Sequence, residues 1–213
     1  MTAVKVLKRQ FDGGRFSNIL LAALSKSLKD FFEKKSYDTP NEMTIVIPAR
    51  LHHSKVEPQL KMENKFSVAL QTLPIGEIKT TGDRISKIKQ YSNIAVASPD
   101  YLVNHWIMTI VSAIFPEWVL RKIMQSNHAT LAMSNLPGPN FTIKIKGYEL
   151  ENVGFLIPTV GLTAVGITVL SYNNKLHFGI TSDEAAIDNE DDLGEILQGM
   201  KREIETMVKS VNM

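Results

Sequence analysis

The residues best suited to chemistry are two adjacent histidines, His52 and His53, in the polar stretch LHHSKVEPQLK. Imidazole titrates near neutral pH, so a histidine held beside a hydroxyl group can act as a general base. The competing interpretation is two exposed loop histidines, because the stretch has no helical or strand periodicity. His105 and His128 are isolated, and His177 is predicted to be an exposed strand residue rather than a base.

Several classes of site are excluded by what the sequence lacks. The chain has no cysteine, which excludes disulfides, thiolate nucleophiles and cysteine-based metal sites. It contains no GxxxxGK[ST] or GxGxxG phosphate loop and no GxSxG elbow. The five histidines do not show the spacing of metal ligands, so no metal is predicted. A net charge of +2 gives no electrostatic case for a nucleic-acid partner.

The distribution of charge and hydrophobicity leaves open a contact with a lipid surface. Basic residues outnumber acidic ones in the first hundred residues, and the reverse holds afterwards. A solvated surface explains this pattern, and the alternative is a basic face that meets anionic lipid or a phosphate-bearing cofactor. The most apolar stretch, Tyr101 to Phe115, contains Asn104 and His105 and falls short of the ~18 apolar residues that cross a bilayer.

The helices and strands that would position a site can be predicted from the sequence, and the first half of the chain is expected to be rich in helices. The stripe of Leu21, Leu24, Leu28 and Phe31 predicts an amphipathic helix over 17–34. Two strands are predicted next, each closed by a proline, and then three helices. The strands are expected at 43–47 and 64–73, and the helices at 82–93, 98–115 and 116–125.

The second half is expected to be rich in strands. Period-two patterns predict five of them, the last two forming a hairpin whose turn is Asn173-Asn174, where asparagine tolerates positive φ. The segment GITVL is apolar on both faces, which indicates a central strand. A stripe of apolar residues from Leu193 to Val211 predicts a docked C-terminal helix. The five strands are expected at 128–135, 140–146, 153–158, 162–172 and 175–181.

One short string, SNLPGP at 134–139, predicts a rigid turn at the end of a strand. Pro137, Gly138 and Pro139 force a tight excursion, and the side chain of Asn135 can bond to nearby backbone and fix it. Taken alone, the string is a turn signal and nothing more.

Several strings in a fixed order resemble the C-terminal domain of the wax ester synthase / diacylglycerol acyltransferase family. In that family an N-x-PGP string, a strand ending in Ser-Tyr, a short turn and a strand leading to an aspartate follow one another. An acidic patch and a terminal amphipathic helix come next, as they do here. The positions that carry the resemblance are Asn135, Pro137, Gly138, Pro139, Ser171, Tyr172 and Asp183.

Upstream strings extend the resemblance over nearly the whole chain. TIVIPARL at 44–51 is similar to the family's strand that ends in a proline and a basic residue, and Asn64 is similar to its following asparagine. SNILLAAL is similar to the family's NDVVLAA motif, with Ser17 at the asparagine and Asn18 at the aspartate. Because both polar positions differ, no specific role of that pair is carried over.

The resemblance implies a mixed α/β fold of the CoA-dependent acyltransferase type, in which this chain is the C-terminal half. We expect a mixed sheet flanked by helices, with the C-terminal amphipathic helix docked on it, and residues 1–213 forming one domain. The implied activity is transfer of a fatty acyl group from acyl-CoA, a co-substrate rather than a bound cofactor, to diacylglycerol or a long-chain alcohol. An intracellular location on the cytoplasmic face of the plasma membrane or endoplasmic reticulum, with peripheral membrane contact, is expected as well.

The order of the family's motifs along the chain argues against His52 and His53 as the catalytic pair. The family's HHxxxDG motif lies in an N-terminal domain, well before NDVVLAA, whereas this pair comes after SNILLAAL. Here Glu57 stands at the aspartate of that motif and Pro58 at the glycine, and proline cannot supply a turn with positive φ. The motif is therefore expected before residue 1, in an N-terminal half that would be a partner. A non-catalytic lipid-binding or scaffolding protein is the alternative.

The stretch from Tyr101 to Met124 is the candidate for an apolar surface that faces another domain or an acyl channel. It carries Trp106, Ile107, Ile110, Ile114, Phe115, Trp118 and Leu120. Ordinary core is the competing interpretation. If the residues are exposed, we expect self-association, membrane binding or capture of fatty acyl groups.

Overall fold

The structure is a computed structural model that describes residues 15–50, 66–124, 129–159 and 161–211. Within these ranges the helices are α1 (Phe16–Lys34), α2 (Thr81–Ala97), α3 (Asp100–Ile114), α4 (Glu117–Met124) and α5 (Glu190–Val211). The strands are β1 (Glu42–Arg50), β2 (Phe66–Pro74), β3 (Leu131–Pro137), β4 (Lys144–Ile145), β5 (Tyr148–Glu149), β6 (Val165–Tyr172) and β7 (Lys175–Ser182).

The main sheet has five strands in the order β2-β1-β3-β6-β7. β3 runs parallel to both of its neighbours, β1 and β6. The two outer pairs, β1 with β2 and β6 with β7, are antiparallel. The expected mixed sheet is therefore confirmed, and β6 is the interior strand that its two apolar faces predict.

One face of the sheet carries the hydrophobic core, against which helices pack. Ile167 of β6 lies in register between Met133 of β3 and Ile180 of β7, and all three belong to one apolar cluster. α1 contributes its whole apolar stripe, in which Leu20, Leu21 and Leu24 are fully buried. Side chains of strand and helix thus interlock in one core that both halves of the sequence share.

The C-terminal helix α5 is docked as its stripe predicts, with Ile196, Met200 and Met207 buried. It packs against α1, whose Ser27 hydroxyl donates a hydrogen bond to the carbonyl of Ile196 at 2.6 Å. The acidic first turn of α5 also meets the basic end of α1. Lys34 pairs with Glu195 and Lys35 with Asp192, each at 2.7 Å. Part of the acidic patch is therefore paired with lysines, rather than only solvated.

Helix α3 lies along β2, the edge strand of the sheet. The amide of Asn104 donates to the carbonyl of Val68 at 2.9 Å, and the hydroxyl of Ser67 donates to the carbonyl of Tyr101 at 2.7 Å. Two polar bonds thus hold the helix to the edge.

Two of the predicted strands are wrong. Of 140–146 only Lys144–Ile145 pairs, with Tyr148–Glu149, in a separate two-stranded sheet. Residues 150–159 form no ladder, although burial alternates as in a strand from 152 to 159. Burial alternates because every second side chain turns toward the main sheet. The segment is held there by hydrogen bonds from the hydroxyls of Thr168 and Thr181 and not by a strand ladder.

The hairpin turn of β6 and β7 is as predicted. Asn173 and Asn174 have φ values of 46° and 60°, the left-handed conformation that asparagine adopts more readily than most residues. β7 is an edge strand, so only the first arm of the hairpin is interior.

Candidate functional site

The Pro-Gly-Pro turn and the Ser-Tyr end of β6 come together at one end of the sheet. Pro137, the last residue of β3, is in register with Ser171 of β6. The backbone N–H of Gly138 donates to the Ser171 hydroxyl at 3.1 Å. The two strings, more than thirty residues apart in the sequence, thus form one turn network.

Gly138 is required here by close approach and not by a positive φ. A Cβ at this position would lie 2.2 Å from the carbonyl oxygen of Ser171, well inside van der Waals contact. The obstacle is backbone of an interior strand, so it cannot rotate away as a side chain could.

The same network reaches the β6–β7 turn. The backbone N–H of Asn173 donates to the carbonyl of Pro139 at 2.9 Å. The Asn174 amide donates to the carbonyl of Asn140 at 3.3 Å. The end of β3 and the hairpin turn are therefore fixed to each other.

Tyr172 ties the segment after the turn to the sheet. Its side chain is almost fully buried, and its hydroxyl donates to the carbonyl of Leu150 at 2.6 Å. The same hydroxyl accepts from the N–H of Ile143 at 2.9 Å. A phenylalanine could fill this space but would leave both backbone groups unpaired.

Residues 150–158, here called the strap, cross β6 and β7 on the face away from the helices. Thr168 donates to the carbonyl of Phe155 at 2.6 Å, and Thr181 donates to that of Ile157 at 2.8 Å. Gly166 allows the strap to lie close, since a Cβ there would be 2.7 Å from Cγ1 of Ile157. Hydroxyls on the sheet therefore set the path of the strap.

Asp183 lies at the other end of the sheet from this network. It follows β7, whose last residue, Ser182, pairs with Val165 at the start of β6. Its carboxylate accepts a hydrogen bond from the N–H of Ala185 at 2.9 Å, and its own N–H donates to Ala164 at 2.8 Å. The structure gives Asp183 a turn-forming position and does not bring it near Asn135 or Tyr172.

Asn135 is half-buried, in register with the buried Val169 of β6. Register partners in neighbouring strands point to the same face, so Asn135 belongs to the helix-facing side of β3, two residues before Pro137.

A buried polar cluster beneath α1 was not predicted from the sequence. The Ser92 hydroxyl lies 3.0 Å from Oδ1 of Asn18 and 3.1 Å from Oε1 of Gln71. All three residues are at least nine-tenths buried, and Nε2 of Gln71 has no partner among the described residues. Asn18 is the residue at the aspartate position of the NDVVLAA-like motif, so the structure places that position in the interior.

A buried arginine is the second group that sequence reasoning missed. Arg84 of α2 donates to the Ser25 hydroxyl at 2.5 Å and to the carbonyl of Pro74 at 3.3 Å, joining α1, α2 and the end of β2. Burial lowers the pKa of its guanidinium below the usual range. A single arginine in a polar helix carries no sequence signal that distinguishes it from a surface residue.

A tyrosine at the start of α3 is also affected by its surroundings, since burial raises the pKa of Tyr101.

His177 is not the exposed strand residue that was predicted. It is half-buried on the strap side of β7, its ring centroid is 6.2 Å from that of Tyr172, and its Nε2 is buried without a hydrogen-bond partner in the described structure. The strap covers this face of β7, which a strand pattern alone does not reveal. No hydrogen bond in the described structure therefore orients Nε2 for proton transfer.

The remaining candidates fall elsewhere. His52, His53 and Asn64 lie outside the described residues. Among residues that the structure describes, no group of three or more histidine and acidic side chains could hold a metal ion. Within the same ranges, no helix is both long enough and apolar enough to cross a membrane. Across the described ranges, the geometry at the Pro-Gly-Pro turn is that of a network of backbone and side-chain hydrogen bonds.

Replacing Gly138 with alanine is expected to destabilise the fold by about 1–3 kcal/mol, since the new methyl group overlaps the Ser171 carbonyl. The matched control is Gly154→Ala in the strap, where an added Cβ meets nothing within 4 Å. Urea unfolding of the three proteins measures the difference. Equal midpoints for the two variants would show that the turn yields without cost.

The fold is that of half of an acyltransferase or condensation-type domain. It is similar to a wax ester synthase/diacylglycerol acyltransferase from Marinobacter aquaeolei VT8, with a TM-score of 0.63 at 18% identity over 98% of this chain and 47% of that one. It is also similar to the epimerization domain from the third module of tyrocidine synthetase B, with a TM-score of 0.60 at 11% identity, covering 99% and 46% of the two chains.

The sequence comparisons define the family within this fold. The family model described as "WS/DGAT C-terminal domain" matches residues 62–207, and the chain belongs to that family. A probable diacylglycerol O-acyltransferase of Mycobacterium tuberculosis is 23% identical over 215 residues, covering 96% of this chain and 44% of the relative. A second putative enzyme of that name and organism is 25% identical over 191 residues, covering 85% and 37%. The chain thus spans less than half the length of these relatives.

Proposed function

We propose that this chain is the C-terminal half of an O-acyltransferase that transfers a fatty acyl group from acyl-CoA to diacylglycerol or a long-chain alcohol. The observation that carries the proposal is the family match over residues 62–207, together with relatives named as diacylglycerol O-acyltransferases. The contact between the Pro-Gly-Pro turn and the Ser-Tyr end of β6 supports the proposal, because two of the strings that carry the family resemblance lie side by side.

The chemistry divides between two halves in this proposal. A histidine of an N-terminal half would take the proton from the acceptor hydroxyl, and the oxygen would attack the thioester carbonyl of acyl-CoA, releasing CoA as the thiol. This chain would supply one wall of the reaction channel and the braced turn that fixes its shape. Acyl-CoA is a co-substrate, and the N-terminal half is the expected protein partner.

Peripheral contact with a membrane is part of the proposal. Both proposed acceptors partition into lipid, so an enzyme that uses them must reach a lipid surface to be supplied. The cytoplasmic face of a membrane is the expected place, because acyl-CoA is made available there.

The test is to look for an HHxxxDG half encoded in frame upstream of Met1 or in a separate gene, and to express the two halves together. Purified protein with radiolabelled acyl-CoA and either diacylglycerol or hexadecanol should form the ester. Replacing the second histidine of that motif with alanine should abolish turnover. A combined protein that binds acyl-CoA but acylates neither acceptor would contradict the proposed function.

A further inference from the structure

Exposed apolar side chains lie on α3 and α4, as the sequence predicts for the stretch from Tyr101 to Met124. Trp106 and Trp118 are 63% and 66% exposed. Nothing in the described structure shows what covers this surface. The polar groups buried beneath α1, in contrast, can be counted hydrogen by hydrogen.

Three buried polar side chains, Asn18 of α1, Gln71 of β2 and Ser92 of α2, meet where these elements pack together. They are 2%, 5% and 5% exposed. Oγ of Ser92 lies 3.0 Å from Oδ1 of Asn18 and 3.1 Å from Oε1 of Gln71. Buried polar atoms are almost always hydrogen-bonded, so each contact in this cluster should have a donor and an acceptor.

The hydrogen count does not close while both amide oxygens are directed at the serine. A hydroxyl has a single proton, so Ser92 can donate a good hydrogen bond to one of the two oxygens and not to both. The other contact then brings two acceptors together. At the same time Nε2 of Gln71, which carries two protons, is buried without a partner among the described residues.

One rotation removes both faults. Turning the carboxamide of Gln71 by half a turn about its last side-chain bond exchanges Nε2 and Oε1 and moves no other group. Nε2 then takes the position 3.1 Å from Oγ of Ser92 and donates to it. The proton of Ser92 is left for Oδ1 of Asn18 at 3.0 Å.

The alternative rotation, of the Asn18 carboxamide, repairs less. It would give Ser92 a donor, but Nε2 of Gln71 would still be buried without a described partner. Rotation of Gln71 instead leaves its amide oxygen without one, and under-satisfied carbonyl oxygens are commoner in folded proteins than orphaned N–H groups.

We propose that the three residues form a one-way hydrogen-bond chain, in which Gln71 donates to Ser92 and Ser92 donates to Asn18. Hydrogen bonds that run in one direction polarise one another, so each strengthens the next. The chain ties β2 to α2 and α2 to α1. It does not depend on the proposed acyl transfer.

Residue 18 is the accepting end of this chain. Asn18 stands where the NDVVLAA motif has an aspartate. An acceptor needs only an oxygen with a free lone pair, which asparagine and aspartate both supply. The difference from the motif is therefore one that leaves the bond from Ser92 intact.

The chain fixes one end of α2, and a second polar contact fixes the other. Near the start of α2, Arg84 donates to Ser25 of α1 at 2.5 Å and to the carbonyl of Pro74 of β2 at 3.3 Å. The fully buried Ile88 lies between the two contacts along the helix. Loss of the Ser92 hydroxyl should therefore loosen the last turns of α2 and leave the turn around Arg84 in place.

Nuclear magnetic resonance of the 15N-labelled 213-residue chain tests the direction without any substitution. We expect nuclear Overhauser effects between the Nε2 protons of Gln71 and the β protons of Ser92, because the rotated amide places its nitrogen beside the hydroxyl. One of these Nε2 protons should also resonate downfield of an unbonded amide. The Nδ2 protons of Asn18 should show no such effect with Ser92.

Ser92→Ala supplies the second test, with Ser86→Ala on the exposed side of the same helix as the matched control. In Ser92→Ala the downfield Gln71 proton should move upfield. Backbone amide exchange should rise by at least about tenfold over residues 92–97 and stay within about twofold of the parent over 85–88, because the lost bonds hold only the end of α2. Ser86→Ala should leave all three readouts as in the parent.

Asn18→Asp tests the accepting end of the chain. The downfield Gln71 proton should persist in this variant, because Ser92 can still donate to residue 18 while it accepts from Gln71. Its disappearance in a folded Asn18→Asp chain would refute the acceptor role of residue 18.

Two results on the parent would overturn the chain itself. Overhauser effects from Asn18 Nδ2 to Ser92, with none from Gln71, would reverse its direction. Contacts of the Gln71 amide protons with water alone would assign Nε2 to a bound water molecule instead of Ser92.

Discussion

Truncating Ile167 to alanine is expected to lower the free energy of unfolding by about 2–5 kcal/mol, as for other large-to-small changes at buried aliphatic positions. Ile167 is fully buried in the interior strand β6, between Met133 and Ile180 of the neighbouring strands. Its removal leaves a cavity that contacts both halves of the sequence, because β3, β6 and β7 meet the apolar stripe of α1 in one cluster. Urea or thermal unfolding followed by circular dichroism measures the effect.

The control for this truncation is Ile145→Ala. Ile145 is 56% exposed in the small β4–β5 sheet, so the same chemical change should cost less than about 0.5 kcal/mol. If Ile167→Ala melts within a degree of the parent, the core described here does not depend on β6 and its interior position would be wrong.

The second large effect concerns catalysis. The 213-residue chain alone is expected to show no measurable transfer from acyl-CoA to hexadecanol or diacylglycerol. In the proposed mechanism the general base belongs to the N-terminal half, and without it the unactivated hydroxyl of the acceptor attacks a thioester poorly. Product formation measured by thin-layer chromatography with radiolabelled acyl-CoA tests this directly.

His53→Ala is the informative companion in that assay. The order of the family motifs along the sequence predicts that His53 is a loop residue outside the catalytic motif. The variant should therefore show the same acyl transfer as the parent, both alone and combined with an N-terminal half. Turnover by the isolated chain that disappears in His53→Ala would refute the expected inactivity. It would also refute the placement of the catalytic histidine motif in an N-terminal half.

The elements that the sequence predicts well are those whose pattern arises from a single buried face. α5 repeats apolar residues at helical spacing from Leu193 onward, and the structure buries that stripe against α1. β6 is apolar on both faces because the helices cover one side and the strap covers the other. In both elements the local pattern and the tertiary environment agree.

The strap could not be predicted because its bonds are tertiary. A period-two pattern at 153–158 is the same whether the segment pairs with a strand or lies across one, and only the positions of Thr168 and Thr181 decide. His177 was misjudged for the same reason, since its polar face is covered from outside the hairpin.

The interior polar groups could not be foreseen either. Asn18 interrupts the apolar stripe of α1, and Gln71 interrupts that of β2, but neither pattern shows that the two meet through Ser92. The contact between the Pro-Gly-Pro turn and Ser171 was not predicted, because the order of motifs along the chain does not show which of them meet. The distance that makes Gly138 necessary is likewise a property of the folded backbone.

The position of α3 on β2 has a further consequence, for solubility. An uncovered edge strand offers a row of backbone donors and acceptors to which another chain can add a strand, the usual start of sheet-mediated aggregation. α3 lies on that edge, where the amide of Asn104 occupies the backbone carbonyl of Val68. A proteolytic cut or a proline that unravels α3 would free this acceptor, and we expect the altered chain to aggregate more readily than the parent.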